Sequence, residues 1–143
     1  MENILFFTKI SAVFTVIYAG LNIHQLTSSY NYLLTKAEEF RVAATEVGGL
    51  PRLTRLNILF YLVMPFTYLA LLRFSALQSA FVAILALKFL LTATLDLWIE
   101  KSIIIGLTYT KTQHNLSRID NLFNIAAATS IVYLLLIGPP TPN

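Results

Sequence analysis

The chain has 143 residues, 57% of them hydrophobic and 12% charged, with no cysteine and a formal charge of +3. A mean hydropathy of +0.70 implies more apolar surface than a water-soluble domain of this length can bury, so lipid is expected to be part of its solvent. The missing cysteine excludes disulfides, thiolate metal sites and cysteine nucleophiles, and the ten basic residues are dispersed rather than clustered, which speaks against a nucleic-acid partner.

The first apolar run covers residues 4–26. Glu2 precedes it and Ile23-His24-Gln25-Leu26 closes it, so it lacks the basic leader and small-residue cleavage site of a signal peptide and reads as a retained span. Residues 27–55 carry Lys36, Glu38, Glu39, Arg41 and Glu46 among good helix formers, then break at Gly48-Gly49-Leu50-Pro51. The first helix is therefore expected to project past the bilayer. The second span covers residues 56–72 and contains Pro65, which should kink it and free a carbonyl. Arg73-Phe74-Ser75 turns tightly into a third span at 76–99. Beyond Lys101, Ile103-Ile104-Ile105-Gly106-Leu107 is too apolar for open solvent and is expected to continue that helix or lie in the interface. A fourth span covers 122–137, and Gly138-Pro139-Pro140 terminates it.

About 20 apolar residues cross a hydrocarbon layer of roughly 30 Å, and nothing alternates with the period of barrel strands. The predicted fold is all-α: one domain, an integral membrane four-helix bundle with multiple passes. Lys36, Arg41, Arg52, Arg55, Lys101, Lys111 and Arg118 fall in the first and third loops, against Lys9 and Arg73 on the opposite side. Positive-inside logic puts both loops in the cytoplasm and both termini on the non-cytoplasmic side. No internal repeat of the kind that builds inverted-repeat transporters is visible.

Chemistry is expected first on the third helix, where Lys88, Thr92, Asp96 and Glu100 follow at four-residue spacing as a slanted polar ridge. A charge near a bilayer centre costs at least about 2.5 kcal/mol, so Lys88 should face protein, water or ligand. One reading is a floor for a ligand head group or a proton path. The other sends Lys88 to Asn22, Tyr61 or Thr67 on a neighbouring helix and leaves Asp96 and Glu100 interfacial. Arg118, Asp120, Asn121 and Asn124 at the entry of the fourth span read either as a head-group site or as helix entry with interhelical hydrogen bonding. Arg52 and Arg55, one turn apart where the second span enters, suit a carboxylate or phosphate, or a plain positive-inside anchor. His24 and His114 have no partner at ligand spacing, so no metal site is expected.

Gly48-Gly49, Arg52-x-x-Arg55 and Pro65 resemble the glycine pair, arginines and proline around the second helix of the membrane-associated eicosanoid and glutathione metabolism (MAPEG) family. Length, four spans and a long first cytosolic loop are similar as well. The likeness covers the first half of the chain. Leu59 and Leu62 stand where that family carries an Asn and a Glu that help bind glutathione. The resemblance implies a homotrimer whose subunit clefts take amphipathic molecules, with glutathione as the cofactor to test; it sets Lys88 beside a basic residue of the family's third helix and Arg118 near its thiolate-activating arginine.

The expected function is binding of an amphipathic or lipid-like ligand between helices of a small oligomer. Arg52, Arg55, Lys88 and Arg118 would contact an anionic head, Asp96 would be the counter-charge, and Glu100 and Asn121 would join the site. The rival is a non-catalytic accessory subunit of a larger hetero-complex, and a third reading is a proton- or cation-coupled channel or carrier using Asp96 and Glu100. Whether the protein turns over a substrate stays open at this point.

Overall fold

Consecutive serines make the first break in the chain. The first helix, α1 (Glu2–Thr27), stops where the N–H and hydroxyl of Ser28 donate back to the His24 carbonyl at 3.1 and 2.8 Å. Ser29 then caps α2 (Tyr30–Glu46), its hydroxyl accepting the Tyr32 N–H at 3.2 Å. Contrary to the expectation from sequence, the first helix does not run on unbroken into the polar segment but gives way to a separate α2. Helix propensity favoured continuation, but two serines bonding to the local backbone supplied a stop and a start side by side.

The computed structural model of the chain describes residues 2–46, 50–75 and 77–136; the side chains at 2, 50–60 and 62 lie outside the described set. α3 (Leu50–Phe74) stays helical through Pro65. It ends where Ser75 donates both its N–H and its hydroxyl to the Leu72 carbonyl. α4 (Ser79–Ile104) takes in Ile103 and Ile104 beyond Lys101, while Ile105, Gly106 and Leu107 lie in the turn that follows. Gly106 at φ +89° stops it, with Gly106 N–H to Ile103 O and Leu107 N–H to Ser102 O satisfying two of its last carbonyls.

α5 (Lys111–Leu136) starts well before residue 122, where hydropathy alone put the fourth span. Thr110 and Gln113 form a capping box: the Gln113 N–H donates to Thr110 Oγ1 at 3.2 Å and the Thr110 N–H to Gln113 Oε1 at 2.9 Å. The first three turns of α5 are helical because they are capped, not because they are apolar.

Helices α1, α3, α4 and α5 form a four-cornered bundle in which α1 packs on α5 and α3, and α4 packs on α3 and α5. Phe7 meets Phe74 near the start of α1 and Thr15 meets Tyr68 farther along it, so α1 and α3 run antiparallel. α2 lies against α3 and α4 at the end of the bundle that also holds the α4–α5 turn. Two apolar clusters hold these contacts. Leu72, Leu77, Val82, Leu85, Phe89, Ile131 and Leu135 fill the end nearest the α3–α4 turn, and Ala37, Ile103 and Tyr109 join α2 to the other end. The Tyr30 hydroxyl donates to the Tyr109 carbonyl at 2.7 Å, and the two rings stack with centroids 5.9 Å apart. Among the described residues, three helices are long and apolar enough to cross a membrane, Asn3–Thr27, Ser79–Ile104 and Lys111–Leu136, while the described apolar stretch of α3, Val63–Phe74, is shorter.

Candidate functional site

The bundle is apolar outside and partly polar inside. On α1, Val13, Val16, Ile17 and Leu21 are exposed, whereas Ser11 and Thr15 are fully buried and Asn22 nearly so. Ser11, Thr15, Tyr18, Asn22 and Gln25 recur at steps of four and three, a helix-seam repeat written in polar residues. Sequence reading by mean hydropathy missed this stripe, because averaging over a window erases which face carries the polar residues. Its spacing was the available signal.

Lys88 enters this interior from α4. Its ammonium donates to Asp120 Oδ1 at 2.7 Å, Asn124 Oδ1 at 2.5 Å and Thr92 Oγ1 at 2.5 Å, which uses all three of its donors. Asp120 also accepts from Thr92 Oγ1 at 3.0 Å and Asn124 Nδ2 at 3.0 Å, and the same amide donates to Asn22 Oδ1 at 2.8 Å. One ion pair thereby joins α4, α5 and α1 through side chains whose hydrogen-bonding capacity is largely met. The sequence names Asp96 as the counter-charge of the site and leaves open whether it pairs with Lys88. Lys88 pairs with Asp120: Asp96 lies about 12 Å farther along the same helix, while α5 brings Asp120 and Asn124 to the reach of the lysine stem. Asn22, named among the alternative partners, joins at one remove.

Aromatic rings close the network on the side facing the apolar cluster. Tyr18 and Tyr68 flank Phe89 with centroids 5.6 and 5.8 Å away. Beyond them Thr15 Oγ1 donates to the Ser11 carbonyl at 2.6 Å, which leaves it to accept from the Tyr68 hydroxyl at 2.5 Å.

Toward α2 the interior opens into a cavity of about 290 Å³ between α2, α3, α4 and the start of α5. Leu33, Phe40, Ile99 and Ile103 give it apolar walls, and Tyr61, Asp96, Glu100 and Tyr109 carry its polar side. The Tyr61 hydroxyl donates to Glu100 Oε1 at 2.6 Å. Asp96 is partly buried, yet among the described residues no hydrogen bond or ion pair reaches its carboxylate. Lys36 stands at the rim, where its ammonium is 2.6 Å from Glu39; that contact raises the lysine pKa above its ordinary value. Burial pushes the Tyr109 phenol above the usual tyrosine range, so it faces the cavity as a neutral group.

Of the residues singled out from sequence, Asp96 and Glu100 meet in this cavity. Lys88 is committed to the ion pair. Arg118 is exposed on α5 and does not line the cavity. Asn121 is buried at 4% exposure with its Nδ2 unpartnered among the described residues. The side chains of Arg52 and Arg55 lie outside the described residues. No group of three or more His, Asp or Glu side chains that could hold a metal ion occurs among the described residues. Comparisons with protein families, with curated proteins and with solved structures find no match to this chain.

Proposed function

We propose that the protein is a multi-pass membrane protein that binds an amphipathic ligand, with the head group in the cavity under α2 and the tail along the apolar surfaces beside it. The orientation follows the positive-inside rule, which places α2 and the α4–α5 turn in the cytoplasm. The observation that carries the reading is the cavity's two-sided lining: Leu33, Phe40, Ile99 and Ile103 on one part, and Tyr61, Asp96 and Glu100 on another. Ligand sites are concave, mostly apolar and oriented by a few polar groups. At about 290 Å³ this one suits a head group rather than a whole lipid. The Lys88 ion pair lies deeper and acts as a support: it fixes α4 against α5 and so holds Asp96 at the cavity wall.

Glutathione fits this lining less well than a ligand without acidic groups. Its two carboxylates outnumber its one ammonium, and the described cations nearby already make contacts, Lys88 with Asp120 and Lys36 with Glu39.

Thermal unfolding of the detergent-purified protein tests the reading with a panel of short-chain amphiphiles of differing charge. At least one is expected to raise Tm in a saturable way, and filling the cavity with Ser117→Phe should abolish the rise. A second filling variant, Ala37→Leu, guards against a folding defect in the first. Equal stabilisation of wild type and both filled variants would overturn the proposal.

A further inference from the structure

The head group's charge follows from which acids and bases around the cavity are already engaged. Asp96 sits on α4 about 12 Å from the helix end, lines the cavity, and is reached by no hydrogen bond or ion pair among the described residues. Removing a carboxylate from water without a partner is costly. Among the described residues, Lys88 Nζ is saturated by Thr92, Asp120 and Asn124, and Lys36, exposed at the rim, lies against Glu39.

We propose that the missing partner is a cationic head group, an organic ammonium carried by the amphipathic ligand, held by the Asp96 carboxylate. The proposal rests on the binding function stated above and narrows its substrate class. Three features of the cavity suit an alkylated ammonium over an inorganic ion. The rings of Phe40, Tyr61 and Tyr109 line it, and aromatic faces attract quaternary ammonium groups. Its apolar walls accommodate alkyl substituents, which a hydrated metal ion would leave unused. The described residues supply no set of three ligating side chains for a divalent ion. An anionic head would instead face the Asp96 carboxylate.

The test uses full-length protein in a neutral sugar detergent, with octyltrimethylammonium, octanol and octanoate as probes matched in chain length. Wild type is expected to gain Tm most with the ammonium and least with octanoate. In Asp96→Asn the apparent Kd for the ammonium should weaken by about tenfold or more, the loss expected when a charge-assisted contact is removed, with the octanol response unchanged. Asp96→Glu should keep the ammonium preference, which separates loss of charge from loss of fold. An ammonium preference that survives in Asp96→Asn, or octanoate stabilising as well as the ammonium, overturns the inference. If all three probes stabilise equally and Ser117→Phe abolishes all three responses, the binding function stands and the cationic head falls. If no probe shifts Tm, both fall.

Discussion

At the scale of single residues, Lys88 shows how a charge is made tolerable inside an apolar helix bundle. Its three donors meet Thr92, Asp120 and Asn124, so the cost of burial is offset by hydrogen bonds as well as by the opposite charge. Breaking such a pair from one side leaves the other charge stranded, and Lys88→Met is expected to destabilise the protein by about 3 kcal/mol, with Asp120→Asn costing a similar amount. The double variant should cost clearly less than the sum, because neither stranded charge remains. SDS-induced unfolding of the detergent-solubilised variants measures all three, and strict additivity would show that the two side chains act independently. The lysine's need for a polar surrounding was legible from its position in the sequence. Its partner was not: Asp96 shares its helix, but Asp120 is 32 residues away, and only the rotation and axial offset of α5 against α4 bring it within reach.

At the scale of elements, punctuation outweighed hydropathy. Ser28 and Ser29 divided a segment of good helix formers into α1 and α2, and the Thr110–Gln113 box started α5 in a polar stretch. Both signals were present in the sequence, yet a search for apolar runs passes over them because it scores side-chain transfer and not backbone satisfaction. Gly106 closes α4 at φ +89°, and a Cβ there would meet nothing within 4 Å. Gly106→Ala should therefore cost about 1 kcal/mol through backbone strain alone, and Gln113→Ala about 1 kcal/mol through loss of the cap. Thermal unfolding of the two single variants and their combination checks this; a neutral Gly106→Ala would show that the turn relaxes out of the left-handed region. Closing the α4–α5 turn correctly also matters for the cavity, since Tyr109 in that turn forms part of its wall and its carbonyl anchors Tyr30 at the start of α2.

At the scale of the whole molecule, apolar side chains cover the outside of the bundle and a polar seam runs through part of the inside, the arrangement expected where lipid replaces water as the outer solvent. Because the chain has no cysteine, single introduced cysteines report topology without background. Ala43→Cys on α2 and Thr108→Cys in the α4–α5 turn should react with an impermeant maleimide from the same side of sealed vesicles, and Asn3→Cys from the opposite side. Labelling of all three from one side would refute the topology. The amino-acid sequence by itself determined that the chain is helical and rich enough in apolar runs to cross a membrane, because these properties depend on local bonding and on transfer of each side chain, summed along the chain. It also carried the polar stripe of α1, visible in its spacing. Only the tertiary structure decided that Lys88 pairs with Asp120, that Arg118 stays outside the cavity, and that Asp96 lines the cavity beside α2 with no partner among the described residues. Those outcomes depend on how separate helices rotate and slide against one another, and that register is set by packing between distant residues.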